Sequence, residues 1–224
     1  MLFGKIPSQI EKKLYEFSDW FFSQDLNNIP IKEKVLDTQY AVSVEYLNEM
    51  KSRENNVGFP EESFGYDFKM LDHDKSFNQT MIELDKTLMS FTGSNQNALK
   101  MYYPKDGYIG WHNNANAPGY NVLFTYSETG EGDFRYINPV TGELVIMPDK
   151  KGWSCKIGYY DTIKGNPLWH AAWTNCNRLN WAYIIHPILW EDFAKEIGVD
   201  QNAICEIIGR RPEDLLEAYE HRYK

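Results

Sequence analysis

Apolar residues recur at helical spacing near both ends of the chain and at strand spacing through its middle. In residues 7–24, Ile10, Leu14, Phe17 and Phe21 share one face, with Lys12, Lys13, Glu16 and Asp19 between them. That period predicts an amphipathic helix. Ser8 is its expected N-cap with Glu11 as capping-box partner, and Asn27-Asn28-Ile29-Pro30 its expected stop. Residues 38–53 predict a second helix, and the Gly-, Pro- and acid-rich stretch Asn55 to Phe68 an exposed loop. Residues 76–91 predict a third helix through Phe77, Met81, Leu84, Leu88 and Phe91, closed by Gly93-Ser94-Asn95. These helices are expected to pack over a sheet.

From Leu99 the period falls to two. Leu99, Met101 and Tyr103 fall on one face, Lys100 and Tyr102 on the other. Strands are expected at 99–103, 119–126, 133–137, 143–147, 153–160, 168–174 and 178–185, with turns such as Asn138-Pro139-Val140-Thr141-Gly142 between them. Short strands with frequent turns predict a β-sandwich or barrel. The tail from Trp190 returns to helix, with a last helix starting at Pro212.

The 224 residues suit a single domain, 1–224. A net charge of −9 disfavours general attraction to nucleic acid or to anionic membranes. The tail spacing Ala194, Gly198, Val199, Ile204, Ile207 resembles a helix-turn-helix, with Gln201 and Asn202 opening a recognition helix. Its nine acidic against five basic residues from Trp190 onward argue instead for an ordinary helix pair. Cys155, Cys176 and Cys205 have no paired or metal-like spacing and read as reduced thiols. The start lacks a signal-peptide run, and no stretch approaches the roughly 20 apolar residues of a membrane span. A cytoplasmic protein is expected, of unspecified oligomeric state.

The candidate chemistry lies between Tyr102 and Trp181. His112 precedes Asn114 by two residues, so in a strand both face one site. His170 follows 58 residues later, and Arg178 lies eight beyond it. That even offset suits two arms of a hairpin turning near Asn175-Cys176-Asn177. Imidazoles are common iron ligands and a guanidinium grips a carboxylate. His73, His186 and His221 are read as loop, structural and exposed residues. Arg135, in Glu131-Gly132-Asp133-Phe134-Arg135, is read as a surface ion-pair partner that also lies within reach of a substrate. Trp111, Tyr120, Tyr126, Trp169 and Trp173 are expected to form an aromatic wall, about half of it core.

The set Tyr103, Gly107, His112-x-Asn114, His170 and Arg178 resembles the 2-oxoglutarate/Fe(II)-dependent oxygenases, of the prolyl-4-hydroxylase-like, phage-type branch, over about residues 98–186. The resemblance implies a mainly β fold, a double-stranded β-helix or jelly roll with N- and C-terminal α-helical additions. The divisions would be helical 1–97, jelly-roll core 98–189 and helical tail 190–224. It implies Fe(II) held by His112, His170 and Asn114, and 2-oxoglutarate held by Arg178 and Tyr103. No catalytic residue beyond the metal centre is implied. Hydroxylation of a protein, peptide or small molecule is the activity implied. The family pattern has Asp or Glu where this chain has Asn114, and its basic residue follows the second His by about ten residues rather than eight. The alternative is a jelly-roll binding or structural module that has lost the iron.

Overall fold

The computed structural model describes residues 1–26, 29, 32–53, 58–71, 75–94, 97–114, 119–160, 167–211 and 213–215. The expected stops at Asn27, Asn28, Pro30 and Asn95, together with His73, Pro212 and His221, lie outside them. Two antiparallel sheets carry the fold. Their strands are β1 (Leu2–Gly4), β2 (Ser63–Phe64), β3 (Tyr66–Asp67), β4 (Asn97–Tyr103), β5 (Tyr108–His112), β6 (Gly119–Ser127), β7 (Gly132–Ile137), β8 (Leu144–Pro148), β9 (Gly152–Tyr160), β10 (His170–Thr174) and β11 (Arg178–Ile185). One sheet runs β1-β9-β6-β11-β4-β3 and the other β2-β5-β10-β7-β8. The protein is therefore mainly antiparallel β, with helices added at both ends.

The helices are α1 (Ser8–Ser23), α2 (Thr38–Ala41), α3 (Val44–Ser52), α4 (Lys75–Thr92), α5 (Pro187–Glu196) and α6 (Gln201–Ile208). Alternation along the strands assigns them to layers. In β11, Leu179, Trp181, Tyr183 and Ile185 face a core shared with Leu14, Phe17 and Phe21 of α1, Leu84 and Leu88 of α4, and the α5–α6 pair. Phe17 meets Trp181 edge-on at 5.4 Å between ring centroids. The opposite face of β11 presents Arg178, Asn180 and Ala182 to the space between the sheets. There Met101, Leu123, Phe134, Met147 and Ala172 form a second core. A third core sets α2 and α3 on the outer face of the smaller sheet.

Several expectations change. Ser8 is the first helical residue rather than the cap; Pro7 holds the cap position, and no side chain bonds the first turn. The single helix at 38–53 is two, because Asp37 caps one and the Ser43 hydroxyl caps the next. A side-chain acceptor on the backbone competes with helix continuation. The expected loop at 55–68 contains β2 and β3, paired on β5 and β4. β1 pairs with β9, so the first 97 residues are not wholly helical. The strand β5 was not among those the pattern predicted. The α5–α6 pair buries Trp190, Phe193, Ala194, Ile197 and Ile204 against the larger sheet, as an ordinary packed corner does. All three cysteines are buried and free. No helix among the described residues is long and apolar enough to cross a membrane.

The layer between α1 and the larger sheet gives a stability prediction. Phe17→Ala should cost about 3–5 kcal/mol, the range for emptying a buried aromatic site. The urea midpoint should fall accordingly while far-UV circular dichroism keeps its native shape.

Candidate metal centre

His112 and His170 stand directly opposite each other in the β5–β10 ladder. Their rings lie 4.0 Å apart, centroid to centroid, at 51°. The ladder slips between this pair and Ala172↔Ile109. The slip is a bulge in β5, and it lets Ile109 and His112, three residues apart, line the same cavity. Gly110 sits inside the bulge, where a Cβ would come within 3.0 Å of the Glu62 carbonyl.

Each imidazole is fixed by a carbonyl two residues upstream. His112 Nδ1 lies 2.8 Å from Gly110 O, and His170 Nδ1 lies 2.9 Å from Leu168 O. A carbonyl only accepts, so each Nδ1 carries the proton and each Nε2 keeps its lone pair. The same arrangement orients histidines that bind metals. Burial pushes His112 down to about 4, against the opposing pull of the Gly110 carbonyl. Burial and then the neighbouring His112 push His170 well below the ordinary range. Both rings are neutral at pH 7, the form that binds metal.

Asn114 reaches the pair by a different route from the one the spacing suggested. It lies beyond the end of β5 with φ +52°. Strand alternation therefore does not aim it. A left-handed turn, anchored by Asn114 N donating to Gly58 O at 2.9 Å, sets its Nδ2 3.5 Å from His170 Nε2. The three side chains line one wall of a cavity of about 280 Å³. Met101, Leu123, Phe134 and Tyr160 form much of the rest, with Phe59 and Pro60 from the segment before β2. Asn121 and Asn180 add amides, and no Asp, Glu, Lys or Arg is among the described lining residues. Two imidazoles and an amide fit a divalent cation of the class that accepts nitrogen donors. Among the described residues no group of three His, Cys, Asp or Glu side chains stands ready for a metal, and the side chain beside the two imidazoles is a neutral amide.

Arg178 and Tyr103 come together, though not on a hairpin. β10 and β11 belong to different sheets, and residues 175–177 cross between them. Arg178 pairs with Tyr103 across the β11–β4 ladder, its guanidinium 5.8 Å from the ring centre. Neither lines the cavity. Arg178 is 1% exposed, and its Nε donates to Asp149 Oδ2 at 2.9 Å. Lys156 Nζ donates to Asp149 Oδ1 at 2.8 Å. Burial raises the Asp149 carboxyl, and the two cations more than reverse this, holding it below the usual range. Asn180, with its amide turned to satisfy both ends, accepts from Arg178 Nη1 at 3.2 Å. Arg178 Nη2 and the Tyr103 hydroxyl are buried with no partner. An orphaned guanidinium donor and an orphaned hydroxyl beside it fit a carboxylate.

Asp149 and Lys156 were not singled out from the sequence. A signal existed for Lys156: Trp153, Cys155, Ile157 and Tyr159 form one apolar face, and Lys156 falls on the other face, which is buried too. Asp149 lies just past β8, where alternation says nothing. The expected aromatic wall is elsewhere. Trp111, Trp169 and Trp173 pack in the α2–α3 core, and Tyr120 and Tyr126 in the α1 core. Phe134 and Tyr160 face the site instead, their ring centroids 5.5 and 4.6 Å from His170. Arg135 pairs with Asp133 and donates to Val42 O, away from the cavity. His186 caps α5.

No family model matches the chain, and no curated protein matches it. Among solved structures it is similar to a prolyl-4-hydroxylase from Pseudomonas putida, at 12% identity over 69% of this chain and 90% of that one, TM-score 0.30. An oxidoreductase of the 2OG-Fe(II) oxygenase family from Burkholderia pseudomallei matches at 12% over 62% and 76%, TM-score 0.29. A rice dioxygenase for auxin oxidation matches at 12% over 95% and 86%, TM-score 0.38. All three TM-scores lie below 0.5, and the chemistry of the site rests on its own geometry.

The neutral imidazoles make folding sensitive to mild acid. Their folded pKa values lie below the unfolded value of about 6.5, so the unfolded chain binds protons first as pH falls. Stability should decline between pH 6.5 and about 4, by up to about 1.4 kcal/mol per pH unit for each ring. Urea midpoints at pH 7 and pH 5 should differ in the wild type, and differ less in His112→Asn.

Proposed function

We propose that the chain is an Fe(II)- and 2-oxoglutarate-dependent oxygenase built on a double-stranded β-helix. The observation that carries this reading is the pair of carbonyl-oriented neutral imidazoles opening on one apolar cavity. His112, His170 and the Asn114 amide would hold the metal. Tyr103 and Arg178 would hold the distal carboxylate of 2-oxoglutarate through the hydroxyl and Nη2 that now lack partners. When bound, iron would activate O₂ as the oxidant, with 2-oxoglutarate giving up two electrons as it is oxidised to succinate and CO₂ and the substrate giving up the other two.

The chain's own residues bind, orient and exclude water. The Gly110 and Leu168 carbonyls keep both Nε2 atoms unprotonated, so no proton must leave before metal enters. Phe134 and Tyr160 pack on His170 and limit its rotation. Met101, Leu123 and Ala172 keep the cavity wall apolar, which sharpens every electrostatic interaction inside it. A wall whose described residues carry no charged side chain suits an uncharged part of a protein, peptide or small molecule as substrate. The free buried thiols accord with a reducing cytoplasm.

A second reading is favoured by one observation, the neutral amide at the third position. With no carboxylate in the set, the same cavity would serve as a non-catalytic binding module. Anaerobic visible absorption separates the two. Adding Fe(II) and then 2-oxoglutarate should raise a metal-to-ligand charge-transfer band that His170→Ala abolishes and Arg178→Ala weakens. A flat spectrum at saturating iron and co-substrate overturns the oxygenase reading. Asn114→Asp should tighten Fe(II) binding by about tenfold or more, because a unit charge near 4 Å contributes several kcal/mol even at an effective dielectric of about 20.

A further inference from the structure

Lys156 lies on the buried, sheet-facing side of β9 with no exposed surface, and it lines no part of the cavity. Its ammonium contacts Asp149 Oδ1, while Arg178 takes Asp149 Oδ2. Two cations thus share one carboxylate. Asp149 alone would satisfy Arg178 and leave a neutral pair. Burial pulls the Lys156 ammonium below its ordinary range and Asp149 opposes this; with Lys156 protonated the cluster carries one surplus positive charge, in a place where water cannot screen it. The unpaired donors of the cluster, Arg178 Nη2 and the Tyr103 hydroxyl, mark where a compensating anion would sit.

The position adjoins the cavity along two strands. Arg178, Asn180 and Ala182 share the inner face of β11, as Leu99, Met101 and Tyr103 share that of β4. The cavity reaches Ala182, Asn180, Leu99 and Met101. Arg178 and Tyr103 are the next step inward, and Asn180 bonds Arg178 at that boundary. A dicarboxylate extending from the histidines would run along these faces toward the cluster.

We infer that Lys156 is a positioning residue for the co-substrate subsite: by neutralising Asp149 it leaves Arg178 with uncompensated charge for an incoming carboxylate. The inference rests on the oxygenase reading for the identity of the natural ligand, but its own content is electrostatic. Asp149 fixes the guanidinium through Nε, and Lys156 cancels the charge that this orientation would otherwise cost the site.

The test uses metal-free full-length protein and glutarate, which carries both carboxylates without the chelating keto group. Binding is measured by calorimetry, with urea midpoints to confirm folding. Wild type should bind glutarate. Lys156→Met makes the cluster neutral and should weaken binding by about tenfold or more. The double variant Asp149→Asn/Lys156→Met removes one charge of each sign and returns the surplus to Arg178. It should bind within about threefold of wild type. A merely structural lysine predicts no such recovery. Should Lys156→Met fail to fold, Asp149→Asn takes its place: it raises the surplus to two positive charges and should tighten glutarate binding by about tenfold or more, and unchanged binding overturns the inference. The inference is overturned if Lys156→Met binds glutarate as wild type does, if the double variant does not recover, or if wild type takes no glutarate. Failure of the oxygenase reading shows separately, as a flat Fe(II)/2-oxoglutarate spectrum.

Discussion

Two imidazoles can face each other at 4.0 Å in an apolar wall only if both are neutral, and the surrounding structure is arranged around that constraint. A charged pair at this distance would combine desolvation with like-charge repulsion. The backbone resolves the conflict locally. Each Nδ1 has a carbonyl two residues upstream, so each ring is satisfied on one side and open on the other. The β5 bulge is what lets both rings point inward, and Gly110 provides the room and one of the carbonyls.

The opposite problem is solved further inward. Charged side chains lie between the same two sheets, where Arg178 and Lys156 share Asp149. Such a cluster is a poor source of stability, since the desolvation of three ions offsets most of their attraction. Hydrophobic residues of similar size would fill the space at less cost. Its retention beside two orphaned donors is therefore more readily understood as binding chemistry than as packing. The interior is divided into a neutral end at the two histidines, an apolar middle and a cationic end.

The outer layers serve to hold this interior. α1, α4, α5 and α6 cover the larger sheet, and α2 and α3 cover the smaller one behind the histidine ladder. Trp111, adjacent to His112 and facing the other way, donates to Ser43 O at 2.8 Å. That contact ties β5 to the turn between α2 and α3. The break between those helices, where the sequence predicted one helix over 38–53, thus supplies an acceptor that steadies the strand carrying His112.

Much of this was legible in the chain. Period-two alternation located most strands, including the inward face of Leu99, Met101 and Tyr103, because side-chain direction along a strand is a local property. Helical spacing located α1 and α4 for the same reason. His112, His170, Arg178 and Tyr103 were visible as residue types with suggestive offsets. Which of them meet, and through what, depended on the tertiary structure. The parity reasons given for Asn114 and Arg178 did not survive: one is aimed by a left-handed turn, the other by a crossing between sheets. Alternation puts Lys156 on the face opposite Trp153, Cys155, Ile157 and Tyr159 without showing that this face too is buried, and Asp149 lies past the end of β8. Local periodicity determined the elements and the inward faces. Sheet pairing, the bulge and the burial of charge, which are set by contacts between residues far apart in sequence, decided the site.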